Sequence, residues 1–263
     1  MLVHVIADYG YGDLAFAEVV QRLKLALPDA EPVLTPVPAF STLAAGFCIA
    51  QLALNPAPAG TLIYHNVAPR EDDGEARHEN AGERLAFARL ATGVRVIGVN
   101  AGCAFSFLRD VAEELRWAAV PCEGSQFRSR DLFPQAAAAI ALGRPEALGE
   151  TLNPSEIPEP LADRVAYIDG YGNLKTTVEA GAHPLREGDS VRVRIGEVER
   201  EAKISHGSFE VRPGELAFAP GSSGWPRADG SRVCWMELFL RGGSAWEAFG
   251  RPPVGAEIRG PEC

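Results

Sequence analysis

Two short stretches hold residues whose types and spacing suit the binding of a small polar molecule. In Asp169-Gly170-Tyr171-Gly172-Asn173 the glycines free the backbone, while a carboxylate and a carboxamide project close together. The same residue types also build an ordinary hairpin turn, and on the residues alone both readings stand. In Asp8-Tyr9-Gly10-Tyr11-Gly12-Asp13 two carboxylates flank a second glycine turn. Gly10-Tyr11-Gly12-Asp13-Leu14-Ala15 formally matches G-x-G-x-x-A after a strand, which raises a dinucleotide-dependent oxidoreductase as one reading. Against it, Asp8 and Asp13 would repel the pyrophosphate that such a turn must attract. The second strand also ends in Thr35-Pro36, where a ribose-reading acid belongs.

The elements that must position these residues follow from apolar periodicity. Leu2 to Ala7 predicts a strand, and Leu14 to about Leu27 a helix with Asp13 at its cap. A strand at about Pro32 to Val37, a helix from Thr42 to about Leu54 capped by Ser41, and a strand from Gly60 to Ala68 come next. Further strands are expected at Leu85 to Leu90, Val94 to Asn100 and Leu115 to Val120. A short helix is expected from about Phe105 to Glu113, and an alanine-rich helix from Leu132 to Leu142, stopped by Gly143. This alternation implies an α/β N-terminal domain with a mostly parallel sheet, residues 1–152. Ligands of such sheets sit outside the carboxyl ends of the strands, so Asp8 and Asn66-Val67-Ala68-Pro69 should face one crevice. The charged run from Arg70 to Glu83 reads as a solvated loop.

Asn153-Pro154-Ser155-Glu156-Ile157-Pro158-Glu159-Pro160 opens a linker, residues 153–164. Beyond it the apolar period changes to two. Val191, Val193 and Ile195 alternate with Arg192 and Arg194, and strands are expected at Leu216 to Ala219 and Arg232 to Leu240. Residues 165–263 therefore read as a smaller all-β, barrel-like C-terminal domain. A binding site built on the Asp169 turn would lie between the two domains.

The chain has 263 residues and a formal net charge of -10, which argues against nucleic acid or an anionic membrane surface as partner. Cys48, Cys103, Cys122, Cys234 and Cys263 are odd in number, widely spaced and without a C-x-x-C pair, so neither a disulfide framework nor a metal site is indicated. That usage fits a reducing cytoplasm. The longest apolar runs, such as Ala44 to Leu54, are too short to span a bilayer.

Taken together, these segments resemble the S-adenosylmethionine (SAM) hydroxide adenosyltransferases and their fluorinase and chlorinase relatives. Asp8-Tyr9-Gly10-x-x-Asp13 is similar to the family's D-F-G-x-x-D opening. Gly60-Thr61-Leu62 with Ala68-Pro69 resembles its G-T strand leading to V-D-P-G, and Asn100-Ala101-Gly102 sits where the family has P-D-N-G. Phe127-Arg128-Ser129-Arg130-Asp131-Leu132-Phe133 is similar to F-H-G-R-D-I-F, and Ile168-Asp169-Gly170-Tyr171-Gly172-Asn173-Leu174 to I-D-x-F-G-N-L. The pieces occur in the family's order over nearly the whole chain. The resemblance implies a homotrimer with sites between neighbouring subunits, and SAM or adenosine as ligand with no separate cofactor.

It also implies roles. Asp8 would accept from the ribose hydroxyls, Phe40 would lie against the sugar, and Asn173 would read the adenine edge. Asp13 and Asp169 would lie near the methionine end, where an ammonium and a sulfonium make negative charge useful. Asn100 and Phe127 fall within site motifs. Ser222 resembles a serine that contacts the amino acid, with Ser231 as a competing match across a hairpin extension, Trp225 to Gly230.

The implied reaction is displacement of methionine from the ribose 5′ carbon, by water or by a halide. In hydrolytic members an Asp, an Arg and a His hold the attacking water. Here Ala68 stands at the Asp position and Arg128 at the His position, while Arg77 matches the Arg with a one-residue shift. Asn66, His65 and His78 are candidate stand-ins. Ser129 matches a fluorinase serine, and with Arg128 it would hold a halide or other anion beside the ribose. The alternative is a catalytically degenerate SAM or adenosine binder that keeps the recognition residues.

Overall fold

The computed structural model describes residues 1–69, 75, 81–121, 124–182 and 186–262. The chain divides into two compact units, Met1–Pro160 and Leu161–Cys263.

The first unit begins with β1 (Leu2–Ala7), α1 (Leu14–Ala26), β2 (Glu31–Pro36), α2 (Thr42–Ala53) and β3 (Leu62–Asn66). β4 (Leu85–Leu90), β5 (Arg95–Val99), β6 (Ala112–Ala118), α3 (Arg128–Asp131), α4 (Phe133–Ala141) and β7 (Leu148–Thr151) complete it. The Asp13 carboxylate caps α1 by accepting from the Ala15 N–H at 2.8 Å, and Ser41 caps α2 by accepting from Ala44. α1 buries Phe16, Val19 and Leu23 along one face, whereas α2 is buried almost all round and is correspondingly free of charge.

A 7-stranded sheet runs in the order β2-β1-β3-β5-β4-β6-β7. β2, β1, β3 and β5 are parallel, and β4, β6 and β7 join antiparallel. The chain leaves β1 toward β2 on one side and later returns to lay β3 on the other. A topological switch point therefore falls between β1 and β3, with Ala7 in register with both Pro36 and Asn66. Backbone groups beyond such strand ends have no further ladder, which leaves room for a ligand.

The second unit contains β8 (Val165–Ile168), β9 (Leu174–Glu179), β10 (Ser190–Ile195), β11 (Val198–Ile204), β12 (Leu216–Pro226), β13 (Arg232–Leu240), α5 (Ala245–Ala248) and β14 (Ile258–Glu262). Its sheet order is β14-β10-β11-β12-β13-β9-β8, and an Arg164–Glu257 bridge ties the two edges, so the barrel is nearly closed. Val191, Val193, Ile195, Phe218, Met236 and Leu238 fill its core, while Arg192 and Arg194 face out as the period of two predicts. Among the described residues, no helix is long and apolar enough to cross a membrane.

Some expectations need correction. No helix forms at Phe105 to Glu113. The chain makes successive tight turns there, with Ala104, Ser106 and Leu108 donating to Ala101, Cys103 and Phe105, and β6 begins at Ala112. Apolar residues buried in a compact loop mimic helical periodicity, and the Thr42 hydroxyl, accepting from the Cys103 N–H, pins that loop to α2. β12 continues through Trp225 and Pro226 after a bulge between Pro220 and Gly224, so the hairpin extension starts later than expected.

α2 approaches the 103–104 backbone so closely at Gly46 that a Cβ there would collide with the Cys103 carbonyl oxygen. Backbone on both sides leaves nothing to yield. Gly46→Ala is expected to lower stability by about 1–3 kcal/mol, measured by urea unfolding monitored by circular dichroism.

Candidate functional site

Polar groups of the first unit converge at the switch point. The Tyr9 hydroxyl lies 2.6 Å from Ser129 Oγ and accepts from Asn66 Nδ2 at 3.1 Å. The Tyr64 hydroxyl donates to the Ser129 carbonyl oxygen at 2.5 Å, and burial pushes its pKa well above the ordinary tyrosine value, with the neighbouring Tyr9 adding to the rise. Edge-to-face contacts with Phe16 and Phe127, at 5.1 and 5.9 Å between centroids, hold the Tyr9 ring. Ala68 packs on the same apolar cluster as Tyr9 and Phe127. Tyr9 is a functional candidate that the motif comparison passed over. Its position directly after a strand and Asp8 was the available signal.

Beside it, Asp8 Oδ2 accepts from the Phe40 N–H at 3.0 Å. Phe40 has φ 62°, a left-handed conformation that a bulky side chain rarely adopts, and its ring is 46% exposed. Asp8 thus holds a strained aromatic at the surface and retains a second carboxylate oxygen. At the end of β5, the Asn100 N–H donates to Arg84, while its buried Oδ1 has no hydrogen-bond partner among the described residues. Asp13 is committed to the α1 N-terminus, where a pyrophosphate would have to bind. That observation counts against the dinucleotide reading.

The Phe127–Asp131 segment is anchored by charge. Arg130 bonds Asp131 through Nε at 2.7 Å and Glu18 at 3.2 Å, and its guanidinium lies 4.9 Å from the Phe127 ring centroid. The Arg130 bonds, then the Ser125 hydroxyl, lower the Asp131 pKa to about 2. Arg128 is tethered rather than free in solvent: its guanidinium packs over Gly82 and 5.3 Å from the Phe133 ring centroid. Ser129 is 3% exposed and its hydroxyl is turned to Tyr9. Consecutive helical residues diverge by about 100°. The described contacts therefore place the two side chains in different environments.

His65 is fully buried on the β3 face opposite Asn66, packed on Phe105 and against Gly98, and neither ring nitrogen has a partner among the described residues. It is a core residue and not a stand-in base. Arg77 and His78 lie outside the described residues.

In the second unit, the Asp169 turn is closed by its own side chains. Asp169 Oδ1 accepts from the Tyr171 and Asn173 N–H groups at 2.9 and 3.0 Å, and Oδ2 accepts from Asn173 Nδ2 at 2.9 Å. Gly172 has φ 79° and sits so close to Ser244 that a side chain would not fit. Asp169 therefore fixes the Asn173 carboxamide and leaves its Oδ1 and one Nδ2 hydrogen to offer outward, the donor and acceptor an adenine edge requires. Ser222 lies 3.4 Å from Lys175 Nζ, two residues beyond Asn173. Ser231 sits at the β12–β13 hairpin tip, bonded to Asp229, so the structure brings Ser222 and not Ser231 toward β9.

Residues 163–254 match the SAM hydroxide adenosyltransferase C-terminal domain, and the Asp169–Asn173 turn lies inside that match. Over those residues the chain is similar to the SAM hydroxide adenosyltransferases. Similar solved structures include a conserved uncharacterized protein from Thermotoga maritima, at 20% identity and TM-score 0.74, covering 98% of this chain and 99% of that one. A conserved hypothetical protein from Thermus thermophilus aligns at 25% identity and TM-score 0.66, covering 98% of each chain. No curated protein matches.

Burial lowers the His65 pKa from 6.5 to about 3. The folded state resists a proton that the unfolded chain accepts below pH 6.5. The resulting stability is complete above that pH and is lost as pH falls toward 3, at about 1.4 kcal/mol per pH unit. In urea unfolding at a series of pH values, His65→Leu should flatten this slope relative to the parent.

Proposed function

We propose that this relative of the SAM hydroxide adenosyltransferases binds SAM and cleaves it at the ribose 5′ carbon, with water as the simplest nucleophile. The observation that carries the binding is the Asp169-clamped Asn173 carboxamide within the matched domain. Asp8 accepts from the ribose hydroxyls with Phe40 against the sugar, and Asn173 reads adenine. The acidic Asp13 and Asp169 favour the sulfonium and ammonium of the methionine end. The chain acts in the cytoplasm as a homotrimer, with no nucleic acid or membrane as partner.

In the hydrolysis, the 5′ carbon–sulfur bond breaks as a carbon–oxygen bond forms. Methionine leaves with the sulfur electron pair, and the attacking water loses one proton to solvent. The leaving sulfur becomes a neutral thioether and needs no acid. The hydroxyls of Tyr9 and Ser129, with Asn66, orient the water beside Ala68.

A second reading is a SAM or adenosine binder without turnover. It is favoured by Ala68, whose methyl group packs on the apolar cluster where hydrolytic relatives place a carboxylate. Calorimetry with SAM, adenosine and NAD tests recognition: SAM and adenosine should bind, Asp8→Ala and Asn173→Ala should each weaken adenosine by about tenfold, and NAD binding would overturn the assignment. Chromatography after incubation with SAM, with and without chloride or fluoride, tests the reaction. Adenosine and methionine in equal amounts support hydrolysis, a 5′-halo-adenosine supports halide attack, and binding without product supports the second reading. Ala68→Asp should raise adenosine formation by about 10²-fold or more, because it restores a group able to take the proton of the attacking water. Sedimentation equilibrium should give three times the 28.1 kDa chain mass.

A further inference from the structure

Glu237 sits on β13 with 1% of its surface exposed, an unusual place for a carboxylate. It stands in direct register opposite Lys175 on β9, and Lys175 Nζ donates to Glu237 Oε1 at 2.8 Å. The Ser223 hydroxyl donates to the same oxygen at 3.2 Å. The bulge in β12 lays Gly221 directly over the carboxylate, where any side chain would collide with it. Lys175 is itself largely buried, at 15% side-chain exposure. A buried ion pair often stabilises no better than an apolar pair of similar volume, and buried, specifically partnered charges concentrate at functional sites.

Position indicates the use. Leu174 faces the barrel core, so Lys175 projects from the other side of β9, two residues after the Asn173 carboxamide. The ammonium carries three N–H groups. One is held by Glu237, one reaches the exposed Ser222 hydroxyl at 3.4 Å, and the third has no partner among the described residues. SAM carries a sulfonium, an ammonium and a carboxylate. The acidic residues assigned above serve the two cations, and on a chain of net charge -10 the carboxylate needs a dedicated cation.

We propose that Lys175, held by Glu237 and joined by the Ser222 hydroxyl, is a specificity-determining receptor for the α-carboxylate of the ligand's amino-acid end. The assignment rests on the SAM reading above. It makes this chain select adenosyl sulfoniums that carry a carboxylate over those that lack one.

The test is calorimetry with adenosine, SAM and decarboxylated SAM against the parent, Lys175→Gln, Lys175→Arg and the Lys175→Gln/Glu237→Gln pair, which leaves no buried carboxylate alone. The parent and Lys175→Arg should favour SAM over decarboxylated SAM by about tenfold or more. In both Lys175→Gln proteins that ratio should fall to about one, with adenosine affinity unchanged within about twofold. A parent that binds both sulfoniums equally, or a ratio that survives removal of Lys175, overturns the inference while adenosine binding stands. A parent that binds neither adenosine nor SAM overturns the SAM reading itself. If the Gln variants fail to fold, the ligand comparison on the parent and Lys175→Arg still decides the matter.

Discussion

The Tyr9 hydroxyl joins segments that are far apart in the chain: the end of β1 through Tyr9 itself, the end of β3 through Asn66, and α3 through Ser129. Its ring packs on the first unit's core while its oxygen emerges where the parallel strands stop. That combination of an apolar body and a polar tip lets one residue belong both to the core and to the crevice. Asp8, Phe40, Ala68 and Asn100 are all arranged around strand ends whose spacing this contact helps hold.

In the second unit the same economy is achieved by a carboxylate. Asp169 satisfies the Tyr171 and Asn173 N–H groups and the Asn173 carboxamide at once, so the turn is rigid before any ligand arrives. Preorganisation of this kind lowers the entropic cost of binding. Asp169 thereby also sets the direction of the Asn173 carboxamide. The hairpin and the recognition element are the same structure, because the bonds that close the turn are those that orient the carboxamide.

Reactivity is where this chain departs most from the hydrolytic pattern. Ala68 packs on the same apolar cluster as Tyr9 and Phe127, and the Ser129 hydroxyl meets that of Tyr9. Around Tyr9 stand hydroxyls and an amide, groups that orient water but do not take its proton at neutral pH. On the proposed reading, recognition rests on carboxylates and a carboxamide, and the chemistry is left to weaker groups.

The sequence by itself determined most strands, the caps at Asp13 and Ser41, the change of period after the linker, and the turn chemistry of Asp169 to Asn173. Each is written in neighbours a few residues apart, where capping, alternation and glycine conformation act. Tertiary structure alone decided what depends on distant partners. Tyr9 meets residues 57 and 120 positions away, and the burial of Glu237 depends on a bulge in another strand. The segment from Phe105 read as a helix because its apolar spacing reflects burial, and Thr42, 61 residues earlier, takes the Cys103 N–H. Lys175 and Glu237 lie 62 residues apart, and nothing local in the sequence pairs them. Only the folded barrel, by removing their water, turned them into a fixed ion pair beside Ser222.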